Sequence, residues 1–331
     1  MRINLGSILG SIMGRFGSSK LTFYRDRLII NSLMNIVTPL PLKSVVQVDQ
    51  IRLNRCDAIS IIPSNVIDGR QILFNHGGAM CFSMWKFYMP FAAKLAEATR
   101  SKLLLPDYRL SPEHPFPAAV DDCRSAHEWI QSHWGSTENT VIVGDSAGGN
   151  LALNTALSFP KSRGLVLLCP WIDLTHSSDT WSGESLDNVV FPVPARRAAW
   201  LYVNGGADWT YGASDPVAVK RFHDKVKDPA VSPVHADLES VRRMPALIQV
   251  GAEERLLGDS LLLWERLGHT SPSVGRGSSS LLRSTDGVHT LSIWPHVPHV
   301  WQITRMWSPP AKDATSDIAS FINDLYASRH T

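Results

Sequence analysis

Strand-length stretches of apolar character recur along this chain near residues 45–52, 56–62, 70–75, 102–107, 140–145, 164–169, 246–251 and 289–294. Several are too continuous in their hydrophobicity to leave one face in water, which predicts strands buried on both sides. Between and after them, residues 84–98, 117–134, 147–158, 258–267 and 313–327 predict helices. Strand–helix alternation through the middle and end of the chain predicts an α/β fold: a mostly parallel sheet flanked by helices, with the first strands forming an antiparallel edge. In such a sheet, chemistry sits at the carboxyl ends of the strands.

Gly144-Asp145-Ser146-Ala147-Gly148-Gly149 follows directly on the apolar run Val141-Ile142-Val143. A Gly-x-Ser-x-Gly string at a strand-to-helix junction marks Ser146 as a nucleophile. The serine must sit on a sharp turn, and Gly144 and Gly148 remove the side chains that would block the backbone from doubling back. Taken alone, the string also reads as a plain loop. A second motif lies at another strand end, where Gln71-Ile72-Leu73-Phe74 leads into Asn75-His76-Gly77-Gly78-Ala79. Bare backbone amides in such a loop can hold a developing oxyanion, each donor being worth about 3 kcal/mol of barrier. The expected donors are Gly77, Gly78 and Ala147, with His76 holding the loop.

Downstream, Ala246–Gly251 reads as a buried strand followed by Glu253 and Glu254, and the strand at His289–Trp294 runs into Pro295-His296-Val297-Pro298-His299. A carboxylate past one strand end can orient a histidine past another. The chain order serine, acid, histidine differs from the orders of chymotrypsin and subtilisin. At this level Glu253, Glu254 and Asp259 remain open as the acid, and His296 and His299 as the base.

These strings together resemble the hormonesensitive-lipase-like branch of the α/β-hydrolases, the family IV esterases, over roughly residues 45–325. His76–Ala79 is similar to the branch's His-Gly-Gly-Gly loop, and Gly144–Gly149 to its nucleophile turn. Asp107–Ala119, Pro170–Leu174 and Asp228–Pro233 resemble further strings of the branch. The resemblance implies an α/β-hydrolase fold with a helical cap, the acid at Glu254 and the base at His299, and an acyl-serine route for an ester or thioester of a small apolar compound. It implies no cofactor and no metal. Residues 1–45 are then expected as an N-terminal cap segment, 46–175 and 226–331 as the two parts of the catalytic core, and 176–225 as a cap insertion. Aromatic residues Trp181, Phe191, Trp200, Tyr202, Trp209 and Tyr211 are expected to pack the cap or line an acyl pocket, with Phe82, Met84, Trp85 and Met89 sharing that ambiguity.

The wording of residues 294–302 looks like fungal members of the branch, and the chain resembles hydrolases of secondary-metabolite and host-selective toxin biosynthesis. Alternatives on the same fold are a non-catalytic small-molecule-binding protein, from which the triad histidine is typically lost, and a dehydratase or acyltransferase using the same site. Two positions depart from the branch. Ala79 replaces a third glycine without removing an N–H donor. Residues 268–287, with six serines and four glycines, lengthen the connection before the histidine and predict a flexible surface excursion, a lid or a gene-model artefact being the other readings.

Composition narrows the class. Charged residues make up 19% and apolar residues 44%, which suits a large core or an apolar pocket. A formal charge of +2, without basic runs interleaved with aromatics, argues against nucleic acid. Cys56, Cys81, Cys123 and Cys169 form no Cys-x-x-Cys pair, so neither zinc nor a redox dithiol is expected. No Asn-x-Ser/Thr acceptor occurs. The expected setting is intracellular, cytoplasmic by preference and peroxisomal by resemblance only, since Arg329-His330-Thr331 is not a Ser-Lys-Leu address. The apolar N-terminus is broken by glycine and serine and is read as cap rather than signal peptide. No run of 18 apolar residues predicts a membrane span, and the oligomeric state is left open, a homodimer included.

Overall fold

A computed structural model of the chain describes residues 19–37, 46–83, 85–182, 190, 192–207, 215–274 and 280–328. Met84, Phe191, Trp209 and Tyr211, named above as cap or pocket aromatics, lie outside these residues, as do residues 1–18 and 38–45 of the N-terminal segment.

The described strands form one nine-stranded sheet: β1 Val46–Arg52, β2 Asp57–Pro63, β3 Gln71–Asn75, β4 Lys102–Asp107, β5 Thr140–Asp145, β6 Gly164–Leu168, β7 Ala246–Gly251, β8 Leu282–Thr285 and β9 His289–Trp294. Their order in space is β1-β2-β4-β3-β5-β6-β7-β9-β8. From β4 to β9 every neighbouring pair is parallel, while β1, β2 and β8 join antiparallel at the two edges. Every residue of β3, β5, β6 and β7 is buried, which is why these strands read as unbroken apolar runs. Alternate side chains serve opposite faces. Ile72, Phe74, Val141 and Val143 join Phe91 and Leu95 of helix α2 (Trp85–Thr99) and Ile318 and Ile322 of the C-terminal helix Pro309–Ala327 in one core. Ile142, Leu165, Leu167 and Ile248 join Leu153 and Ala156 of the helix Ala147–Ser158 in another. Each such side chain, fully buried, contributes about 1.5–3 kcal/mol.

Among the described residues, three helices stand outside the sheet layers: α1 Lys20–Val37, which precedes α2, and the helices Pro192–Asn204 and Pro216–Lys225. Phe23 and Ile30 of α1 share an apolar cluster with Trp200, Tyr202 and Phe222 and with Met80, Phe82 and Ala147 of the core. Trp181, Trp200 and Tyr202 are buried there.

Two expectations change. The stretch 268–287 is not a loop throughout its described part, because Leu282–Thr285 forms β8, paired with β9 as Leu282↔Ile293 through Thr285↔Thr290. The serine content hid a local signal: Asp286-Gly287 closes the hairpin, with Gly287 at φ 89, the left-handed position such turns reserve for glycine. The last helix starts at Pro309 rather than 313. Prolines suit its first turn, where no N–H is needed, and Ser308 accepts the Ala311 N–H there at 3.4 Å.

Candidate active site

The parallel register brings the expected motifs to one rim of the sheet. β3 and β5 are neighbours with Asn75 opposite Gly144, so the loop after β3 meets the turn after β5. Ser146 occupies that turn at φ 52, ψ −123, preceding the helix Ala147–Ser158. A side chain on Gly144 would approach the Gly148 carbonyl to 2.2 Å, and one on Gly148 would approach the Asn75 carbonyl to 2.0 Å. The two glycines therefore permit both the turn and its contact with the loop. Ser146 is partly exposed between buried Asp145 and Ala147.

Glu254 follows β7 and His299 follows β9, its neighbour in the sheet. His299 Nδ1 lies 2.6 Å from Glu254 Oε2, and Glu254 Oε1 accepts the Gly251 N–H at 2.6 Å. Both residues are buried. The rivals are engaged elsewhere. Glu253 accepts the His296 N–H at 2.9 Å and faces His296 Nδ1 at 3.1 Å, with His296 61% exposed. Asp259 accepts the backbone N–H groups of Ile172 and Asp173 and the Trp181 indole, and burial pushes its carboxyl up to about 8. The geometry thus pairs Glu254 with His299 and separates that pair from Glu253 and His296.

One expected donor is corrected. The Gly77 N–H points into the protein and donates to Asp145 Oδ1 at 2.9 Å, with the Tyr88 hydroxyl at 3.2 Å. It is not available to a substrate. The chain turns immediately afterwards, with Gly78 at φ 122 and Ala79 at φ 54, and no hydrogen bond to another described residue engages the Gly78 or Ala79 N–H. The sequence reading noted the Ala79 N–H without placing it among the expected donors. His76 is wholly buried, stacked on Tyr108 at 4.3 Å between ring centres, and bonded through Nδ1 to the Gly77 carbonyl at 2.6 Å. Burial holds its pKa below the ordinary value, so it braces the loop as a neutral ring. Tyr108 adds a hydrogen bond to the His76 carbonyl at 2.7 Å.

Asp145 ties these parts together. Tyr88 donates to its Oδ2 at 2.8 Å. Burial pushes its carboxyl up to about 7, against the opposing pull of Tyr88, of His299 and of the Gly77 N–H. Cys169, on the next strand end at φ 47, accepts the Val300 N–H at 3.4 Å and supports the histidine loop from below. Six of the eight non-glycine residues with positive φ among the described residues (Ala79, Met80, Ser146, Cys169, His296 and Val300) lie around this rim. Such conformations cost about 1–3 kcal/mol each and gather where function demands a particular backbone direction.

Comparison with known proteins bears on the fold and on the activity. The profile of a family described as alpha/beta hydrolase fold matches residues 72–275. An esterase of Acinetobacter venetianus is 27% identical over 264 residues, covering 77% of this chain and 75% of that protein. Among solved structures, a hormone-sensitive lipase from a metagenome library is 30% identical with a TM-score of 0.73, covering 90% of this chain and 91% of the other. EstE5, crystallised and soaked with p-nitrophenyl butyrate, is 28% identical with a TM-score of 0.72, covering 91% and 92%.

Proposed function

The chain belongs to the alpha/beta-hydrolase fold family and is a carboxylic-ester hydrolase, and from that premise we propose a two-step serine mechanism with Ser146 as nucleophile, His299 as base and Glu254 as the acid that orients it. The observation that carries the proposal is the buried 2.6 Å contact of His299 Nδ1 with Glu254, at the ends of the strands two and three places along the sheet from the turn holding Ser146. A carboxylate there keeps the proton on Nδ1 and makes Nε2 the ring nitrogen that accepts another.

His299 Nε2 takes the Ser146 proton as Oγ bonds to the carbonyl carbon. The N–H groups of Gly78, Ala79 and Ala147 receive the oxyanion, Ala147 standing at the N-terminus of its helix where the backbone dipole adds to the attraction. Collapse breaks the bond to the leaving alcohol or thiol, which takes the proton from His299. Water then gives a proton to His299, attacks the acyl-serine, and the proton returns to Ser146 as the acid leaves. The apolar cluster shared by the three outer helices with Met80, Phe82 and Ala147 favours a small apolar acyl group, with those helices acting as a cap. The resemblance of residues 294–302 to fungal members of the branch supports a role in secondary metabolism, as a step of toxin biosynthesis.

The test is hydrolysis of p-nitrophenyl acetate, butyrate and octanoate by the wild type and Ser146→Ala, with a fluorophosphonate probe located by mass spectrometry. Turnover abolished in the variant, with the label on Ser146, is the expected result. Turnover that survives Ser146→Ala would refute the assignment.

A further inference from the structure

A second cluster of metal-ligating side chains lies away from the rim, where the C-terminal end of the helix Leu257–Arg266 meets the β8–β9 hairpin. His269 Nε2 is 2.9 Å from His289 Nδ1, and Asp286 Oδ2 is 3.6 Å from the first and 3.5 Å from the second. A triangle with these sides has a circumradius of roughly 1.9 Å. A point about 2.1 Å from all three atoms therefore exists just outside their plane, which is the distance at which Zn2+ takes imidazole nitrogen and carboxylate oxygen.

The surroundings hold each ligand in that orientation. Asp286 Oδ1 accepts the N–H groups of Val288 at 2.8 Å and His289 at 2.6 Å, which leaves Oδ2 as the atom turned to the histidines. The His269 ring stacks on Trp264 with ring centres 4.0 Å apart. His289 also lines a small void with Val241 and Met244, and its Nδ1 is the atom that faces His269 and Asp286. His289 is 3% exposed, His269 16% and Asp286 39%. The cluster is anchored in the protein and open on its Asp286 side, where water can complete four-coordination. Fixed ligands of this kind, each held by a further contact, are what distinguish metal sites from incidental groupings.

The geometry points to a Zn2+ site formed by His269 Nε2, His289 Nδ1 and Asp286 Oδ2, which joins the helix end to the edge hairpin. The two imidazoles and one carboxylate suit a borderline divalent ion, and Zn2+ accepts the tetrahedral arrangement with one water. The site does not touch Ser146, Glu254 or His299, so it acts on the stability of this edge of the sheet.

The experiment uses full-length protein without a histidine tag, stripped with chelator, then equilibrated with Zn2+ and passed through a desalting column. Bound zinc is measured by elemental mass spectrometry, and melting is followed with and without the ion. The wild type is expected to retain about one zinc per chain and to melt higher with zinc, as a ligand specific to the folded state requires. His269→Gln and Asp286→Asn, both at the open side and with the Asn oxygen still able to accept the hairpin N–H groups, should each weaken binding. The loss should exceed the roughly 10- to 100-fold that follows removal of a group merely orienting a ligand, while ester hydrolysis stays unchanged. A wild type that retains no zinc would overturn the proposal. So would zinc retained equally by both variants, as at Cys169, Glu254 and His299, whose ligand atoms also lie within 4.8 Å of one another.

Discussion

Glu254→Gln separates an acid that sets the histidine's protonation from one that merely fills space. Glu254 uses both oxygens: Oε1 accepts the Gly251 N–H and Oε2 faces His299 Nδ1, each at 2.6 Å. Glutamine offers a single acceptor in the same shape. With its oxygen on Gly251, its NH2 meets Nδ1, which must become the acceptor. The ring proton then moves to Nε2, where it blocks uptake of the Ser146 proton. With the amide flipped, the NH2 opposes the Gly251 N–H, and a buried donor left unsatisfied costs about 1–3 kcal/mol. Even then a neutral amide does not stabilise the imidazolium. Replacing the acid of a serine triad by its amide typically lowers kcat about 10^4-fold, or about 5 kcal/mol of barrier. We expect kcat for p-nitrophenyl butyrate to fall by roughly 10^3- to 10^4-fold, with the far-ultraviolet spectrum and melting curve little altered. Glu253→Gln is the internal control: its partner His296 is 61% exposed, and exposed ion pairs are worth about 0–1 kcal/mol, so the loss should stay below about threefold. A folded Glu254→Gln enzyme keeping more than about a tenth of wild-type kcat would refute the reasoning. Equal losses in the two variants would also refute it.

Gly148→Ala would drive a methyl group to 2.0 Å from the Asn75 carbonyl and 2.5 Å from that of His76; neither is a side chain that can swing away, so activity should drop more than about 100-fold with a lowered melting temperature, and an unaffected enzyme would contradict the packing. Ala79→Gly retains the N–H and relieves a left-handed alanine at about 1–2 kcal/mol, offset by the unfolded-state freedom of glycine at about 0.4–1 kcal/mol; kcat should stay within a few-fold and stability within about 1 kcal/mol, and a tenfold loss would show that the methyl itself matters. Asp145 has a folded pKa of about 7 against an ordinary 3.8, so its contribution to stability is complete below about 3.8 and lost as pH rises through about 7. Asp145→Asn, uncharged throughout, should flatten the fall in urea midpoint between about pH 4 and 7, and parallel profiles for the two proteins would refute this.

Much of the fold and the candidate site was legible because its signals are local. Buried strands read as apolar runs, and each proposed catalytic residue follows one of them: Ser146 after β5, Glu254 after β7 and His299 after β9. Choosing between Glu254 and its neighbours required three dimensions. Glu253 and Glu254 are adjacent in sequence yet turn to different histidines, and Asp259 is held by backbone from the segment after β6. Nothing in the residue types alone encodes those directions. β8 was hidden for another reason: serine-rich composition outweighed an Asp-Gly turn that composition does not measure. No helix among the described residues is long and apolar enough to cross a membrane.

The proposed oxyanion loop shows what a motif leaves to the fold. A motif specifies which residues carry bare amides, but an amide's use depends on where its N–H points. Gly77 looks like the better donor on composition, because glycine approaches a ligand most closely. In the fold its N–H is held by Asp145, and a Cβ there would lie 2.4 Å from Asp145 Oδ2 and 2.8 Å from the Tyr88 hydroxyl. The glycine is therefore required for contact with the protein interior rather than with substrate. Its bond to the residue preceding Ser146 fixes the loop against the nucleophile turn, and the positive φ angles at Gly78 and Ala79 then redirect the following amides. The two glycines consequently do different work: the first anchors the loop and the second turns it. This division accounts for alanine at the third position, where the proposed oxyanion contact asks for an N–H and not for the absence of a side chain.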